Sequence, residues 1–236
     1  MPAELTRRIA IGALATVAAV VVVLPRADGP TSDVEFETAR VLENDLVTVM
    51  RHRYPAGAAS EMHTHPDRVN VFLTDLDVHV TTGEGEEFEA TRQAGTAVWS
   101  EAASHALRAK SDFEVVVVEL RGENGASIPI SPQDATRVAA QHHEVEFENE
   151  WVRIVRVKLL AGMRTQSHVH SLPAVTVVLS DTQIRVVVDD GQTRDGDRNE
   201  GGVRWMDPSG RHTVENVGNS DLLAIRVEIK QAPARP

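Results

Sequence analysis

The chain contains no cysteine. Disulfides, thiolate metal sites and a cysteine nucleophile are therefore excluded, while the compartment stays open. Aromatic residues are scarce, with one Tyr, three Trp and five Phe in 236 residues, so the cores must be built from Val, Leu, Ile and Ala. Positive charge is also in deficit. The net charge is -11, with no basic stripe to offset it, and phosphates would be repelled. Nucleic acid is excluded as a partner on that ground. What remains is a globular composition, 42% apolar, long enough for two domains of about 90 residues that each bury a core.

Long hydrophobic runs are missing except for one. Ile9–Leu24 is uncharged and largely apolar, preceded by Arg7 and Arg8 and ended by Pro25 and Arg26. A basic start followed by such a run reads as an export signal. It falls a little short of the ~20 residues that span a bilayer comfortably. The alternative is an uncleaved anchor with its basic end in the cytoplasm. No A-x-A site follows, because Pro25 stands before Ala27. The stretch "TRRIAI" also resembles a twin-arginine signal, with Ala10 where that motif prefers a bulky residue. Residues 1–31 are thus expected to be an export signal or membrane anchor. The protein is expected in the periplasm or outside the cell, touching a membrane only through residues 9–24.

The rest of the chain repeats itself. "VLENDLVTVMRHRYPAGAASEMHTH" aligns without a gap to "EFENEWVRIVRVKLLAGMRTQSHVH", matching Asn44 with Asn149, Gly57 with Gly162, His63 with His168 and His65 with His170. After one inserted residue "VFLTD" matches "VVLSD", and Trp99 and His105 then match Trp205 and His212. Both copies close on Val-rich segments, "FEVVVVEL" and "LLAIRVEI". Short Val- and Thr-rich segments broken by Gly and Asp-Gly signals predict strands throughout, forming a small barrel or jelly roll in each copy. The division is residues 32–122 for the first domain, 123–141 for a linker and 142–231 for the second domain. In the linker, Ser131 as cap and Pro132 as first helical residue predict a short helix running to about Gln141.

Histidines carry the chemistry. On a strand, residues i and i+2 share a face, so His63 and His65 project together with Glu61 beside them. The second copy does the same with Gln166, His168 and His170. A later strand brings His105 in the first copy and His212 in the second, and a barrel closes the three imidazoles onto one point. Neutral imidazole is the commonest ligand for divalent transition metals, here Fe, Mn, Ni or Zn. His52, His79 and the pair His142–His143 are expected to be solvated or edge residues.

These motifs resemble the cupin superfamily, and their duplication resembles a bicupin. The family's first motif is G-x5-H-x-H-x3–4-E-x6-G; Gly57, His63 and His65, then Gly162, His168 and His170, stand in register with it. The motif's glutamate falls on Asn70 in the first copy, and on Val175 by spacing or Thr176 after the insertion in the second. The second motif, G-x5-P-x-G-x2-H-x3-N, is kept closely in "GVRWMDPSGRHTVEN" through Gly202, Pro208, Gly210, His212 and Asn216. "GTAVWSEAASHALRAK" keeps only Gly95 and His105. Stretches such as "HTHPDRVNVFLTD" also resemble small bacterial cupins with H-x-H and H-x-x-E-N motifs.

The resemblance implies an all-β fold of two tandem cupin barrels behind an N-terminal apolar helix, with His63, His65, His105, His168, His170 and His212 as metal ligands. Losing the glutamate from both copies removes the obvious proton acceptor, and Glu61 becomes the candidate base or fourth ligand. The alternative for Glu61 is a solvated strand-end carboxylate. The expected function is an exported metal-dependent dioxygenase acting on a small organic molecule. The competing one is a non-catalytic periplasmic bicupin that binds metal or a small ligand. A monomer and a homodimer are both compatible with the sequence.

Overall fold

The computed structural model describes residues 34–121 and 127–230. The expected signal or anchor, 1–31, lies outside them. Among the described residues no helix is long and apolar enough to cross a membrane.

The first copy is built from β1 (Glu37–Glu43), β2 (Val47–Tyr54), β3 (His63–His65), β4 (Arg68–Phe72), β5 (Leu76–Thr82), β6 (Glu87–Arg92), β7 (Ala97–Ser100), β8 (Ala103–Ala109) and β9 (Phe113–Leu120). Helix α1 (Ala135–Val138) and a 3-10 turn (Ala140–His142) follow. The second copy comprises β10 (His143–Glu148), β11 (Val152–Leu159), β12 (His168–His170), β13 (Ala174–Val178), β14 (Thr182–Val188), β15 (Thr193–Arg198), β16 (Val203–Met206), β17 (Ser209–Asn216) and β18 (Leu222–Ile229).

Each copy forms one five-stranded and one four-stranded sheet. The orders are β1-β2-β9-β4-β7 and β3-β8-β5-β6, then β10-β11-β18-β13-β16 and β12-β17-β14-β15. All these strand pairs are antiparallel. The likeness extends to irregularities: the register slips between Arg40 and Leu42 in β1, and at the aligned place between Val145 and Phe147 in β10.

Strand alternation explains how the two barrels join. On β2 and β9, Val47, Val49, Val116 and Val118 face one way; on β11 and β18, Val152, Ile154, Ile225 and Val227 do the same. All are buried in one shared core that crosses from barrel to barrel. Two hydrogen bonds mark the pseudo-twofold relation. Arg156 donates to the Gly95 carbonyl at 2.8 Å, and its counterpart Arg51 donates to the carbonyl of Gly201, the counterpart of Gly95. Both glycines sit at positive φ, 75° and 72°, where an L side chain would be strained. Trp99 of the first barrel stacks on Phe147 of the second, ring centroids 6.4 Å apart.

The linker helix differs from its expected extent. Asp134, not Ser131, is the cap: its side chain accepts from the Thr136 N–H, and Ala135–Val138 is a single turn. Asp134 is pinned where it stands by Arg153 at 2.9 Å and by the Ser171 N–H at 3.0 Å. The tertiary anchor sets the helix start.

Candidate metal centres

In both barrels the histidines meet because an H-x-H strand pairs with the strand bearing the third. His63 lies directly across from His105 on the β3–β8 ladder, and His168 across from His212 on β12–β17. The structure brings His63, His65 and His105 together, with a ligand nitrogen from each within 4.8 Å of the others. Their ring centroids are 4.7, 4.8 and 5.2 Å apart. In the second barrel the corresponding centroids are 5.0 Å for His168–His170, 4.5 Å for His168–His212 and 5.3 Å for His170–His212.

In the second barrel the histidines whose ligand nitrogens group together are His143, His168 and His170, with His143 where His212 was expected and His212 packed beside them. His143 is 4% exposed, and its ligand nitrogen lies within 4.8 Å of those of His168 and His170. His143 does lie on an edge strand, as expected, but it is buried and not solvated. It begins β10 opposite Val157 and projects into the barrel, where its Nδ1–H donates to the Ala139 carbonyl at 3.2 Å. The first barrel reverses this pair. Thr38 stands where His143 is, and the residue opposite, His52, supplies the imidazole; Thr38 Oγ1 and His52 Nδ1 lie 2.9 Å apart. His52 is half-buried, and burial, helped by neighbouring His65, pushes it down to about 4.

The rings are oriented as ligand rings need to be. His63 Nδ1–H donates to the Glu61 carbonyl at 2.8 Å, His168 to Gln166 at 2.7 Å and His212 to Gly210 at 2.9 Å. A carbonyl only accepts, so each Nδ1 carries a proton and Nε2 is the nitrogen left for a metal. Burial, then the neighbouring imidazoles, holds His105 near 4. Burial likewise holds His168 at about 4 and His143 at about 3, and drives His170 well below the ordinary range. His105, His143, His168 and His170 are thereby kept neutral at pH 7, the form a metal ligand needs. His168 Nε2 and His170 Nδ1 are buried with no protein partner. His168 Nε2, left buried without a partner while its Nδ1–H is held by Gln166, fits a bound cation better than a closed apolar core.

Carboxylates fall where the sequence did not show. Glu61 lies just before β3 with its side chain exposed; its contribution to the cluster is the carbonyl that holds His63. The carboxylate against the first cluster is Glu119 of β9, accepting from His65 Nδ1–H at 2.6 Å. That hydrogen bond, outweighing burial, holds Glu119 below its usual range. Glu228, its counterpart, is turned away. It is 1% exposed and paired with Arg153 at 2.6 Å and Arg226 at 3.5 Å. The motif glutamate position is Thr176: it pairs with Arg226 of β18 just as Asn70 pairs with the aligned Val117 of β9.

The barrels also differ inside. The first is filled by a cluster that includes Tyr54, Phe72, Phe113, Val115 and Val117. Tyr54 stacks between Phe36 and Phe113 at 4.1 and 4.8 Å. The aligned residues of the second are Leu159, Val178, Leu222, Ala224 and Arg226, and all line a cavity of about 770 Å³ that reaches His170 and His212. Smaller side chains at the aromatic positions leave room for a ligand.

No family model and no curated protein matches the chain. Solved structures do. AerE from Microcystis aeruginosa is 13% identical, with a TM-score of 0.60 over 89% of this chain and 97% of that one. An oxalate decarboxylase from Bacillus subtilis is 15% identical, TM-score 0.55, covering 87% of this chain and 77% of that one. A cupin 2 conserved barrel domain protein from Leptotrichia buccalis is 11% identical, TM-score 0.52, over 83% and 89%. Identities of this size speak for fold alone. With the duplicated motifs, the paired barrels and the inward histidines, they show that this chain has a two-barrel, bicupin-like fold.

Proposed function

We propose that the protein holds a divalent transition metal on its histidine clusters and acts on a small organic anion in the second barrel, as a metal-dependent dioxygenase. The observation that carries this reading is the buried histidine cluster with the orphaned His168 Nε2, opening through His170 and His212 onto a cavity walled largely by Val and Leu. Neutral ligands leave the ion its full charge, which favours an anionic, chelating substrate such as a diketone enolate or hydroxy-acid. A redox-active ion there supplies reactivity toward dioxygen. The chain supplies orientation, through the carbonyls that hold the Nδ1–H of His143, His168 and His212, and a chamber with largely apolar walls. Among the similar structures, the Bacillus subtilis oxalate decarboxylase contains Mn(II) centres, which supports a divalent ion without fixing its identity here.

One observation favours a second reading, ligand binding without turnover. The second barrel has Thr176 at the motif glutamate, and Glu228 is locked between two arginines, so neither provides a base beside the cluster. Elemental analysis of the purified protein, with oxygen uptake measured before and after chelation, separates the two. Iron, manganese or nickel near one per cluster, removed together with oxygen uptake, supports the enzyme. Zinc in both clusters, or no metal, supports the binder. Arg7, Arg8 and the apolar run Ile9–Leu24 support export to the periplasm or beyond.

A further inference from the structure

Alternation along β18 sends Ile225, Val227 and Ile229 into the core shared by the barrels and Leu222, Ala224 and Arg226 toward the second cavity. Arg226 is 5% exposed. Its Nε meets Glu228 at 3.5 Å and its Nη1 meets Thr176 Oγ1 at 3.3 Å, both at the long end of hydrogen bonding. Its Nη2 is buried with no partner. Glu228 is held more closely by Arg153, at 2.6 Å, and Arg153 also takes Asp134. The guanidinium therefore keeps one edge of its donor fork unfilled, and a buried charged donor left that way destabilises the fold.

Barrel architecture does not require the charge. The aligned residue of the first barrel is Val117, packed in a filled apolar core. At this position the arginine stands in the barrel with the cavity of about 770 Å³ and a valine in the other. Arg194, Arg198, Arg204 and Arg211 also line the cavity but are all more exposed than Arg226, and Arg198 and Arg204 donate to the Asp197 carbonyl. Asp189 and Asp195, also on the lining, already face Arg211 at 3.5 Å and Arg185 at 2.9 Å. The buried part of the lining offers Val and Leu walls, His170, His212 and, of the five lining arginines, Arg226 alone.

We propose that Arg226 is the anchor for the carboxylate of the second barrel's ligand, which makes that ligand a small carboxylic acid with an apolar body. The planar guanidinium fork matches a carboxylate's two oxygens. The apolar walls take the body of the molecule and leave the acid group beside the histidines. The assignment rests on the ligand occupying the second barrel as proposed above.

The test uses full-length protein, as isolated and after chelation, and isothermal calorimetry with matched pairs: octanoate against octanamide and 4-phenylbutanoate against 4-phenylbutanamide. The acids should bind at least ten-fold more tightly than their amides. Arg226→Val should abolish that preference while metal content and the melting transition persist. If that variant does not fold, Arg226→Lys keeps the charge, loses the fork and should weaken the acids several-fold. Amides binding as tightly as acids, an unchanged preference in both variants, or binding of inorganic phosphate but of no acid would overturn the proposal. Metal content measured on the same samples separates the two readings. An acid preference without metal sinks the metal reading alone; metal without an acid preference sinks the assignment of Arg226 alone.

Discussion

Giving the second barrel the first barrel's side chains should close its chamber. Val178→Phe, Leu222→Phe and Ala224→Val install the residues found at Phe72, Phe113 and Val115. All three positions line the cavity of about 770 Å³. The change adds roughly nine carbons; at about 0.8 kcal/mol for each that leaves water, the ceiling is near 7 kcal/mol. The cavity is open on one side, so burial is partial and a gain of roughly 1–3 kcal/mol is expected. For a chain of this length that raises the melting temperature by roughly 2–12 °C. A well-packed interior would respond in the opposite direction, since inserted methylenes there cost about 1–3 kcal/mol in strain. Calorimetric melting gives the sign, and titration with octanoate gives the function: binding should fall at least a hundred-fold while metal content holds. A destabilised triple variant that still binds the acid would refute both the empty volume and its role.

Other consequences are as open to measurement. Arg153 joins Asp134 and Glu228, which are 0% and 1% exposed; Arg153→Met should cost about 3–5 kcal/mol in urea unfolding by stranding both carboxylates, and a loss under about 1 kcal/mol would show the pairs to be idle. Burial would raise Asp134, but hydrogen bonds from Ser171 and Thr136, with Arg153, outweigh it and hold the group at about 2 rather than 3.8. Its contribution, about 2 kcal/mol, is therefore complete above pH ~4 and lost as pH falls toward ~2, and Asp134→Asn should flatten that part of the stability curve. His63→Ala and His168→Ala should each release metal from its own barrel only; unchanged metal content in both would place the ions elsewhere. Deleting residues 1–31 should leave a soluble, folded chain that stays in the cytosol on fractionation, and aggregation of the truncated form would assign that segment to the core.

The repeat made the two-barrel plan legible, because alignment needs only spacing and both H-x-H pairs fall on strands where i and i+2 share a face. The third histidines were legible for the same reason. His143 was not: it has Thr38 as its counterpart, so the repeat gave no signal. Its visible trace is that imidazoles occupy facing positions in the two copies, His52 on β2 and His143 on β10, a relation that needs the β1–β2 and β10–β11 registers to be seen. Arg226 escaped for a different reason. In "LLAIRVEI" alternation separates two faces correctly, and the usual assumption turns the apolar one inward. Here Ile225, Val227 and Ile229 face the other barrel, and the face bearing Arg226 and Glu228 is the interior. A sheet covered on both sides makes its polar face look like the solvent side. Glu119 was hidden in the same way on β9.

The reciprocal contacts of Arg51 with Gly201 and Arg156 with Gly95 mean that each half of the chain carries the complement to its sibling. Cutting the backbone between Arg121 and Ser127 would therefore not separate the molecule. Co-expressed as two polypeptides, the halves should reassociate through Val47, Val49, Ile154 and Ile225 into a noncovalent pair. Either half made alone would present that face to water and should meet a second copy of itself. The covalent link fixes stoichiometry: every barrel with the aromatic cluster is matched with one that carries the large cavity.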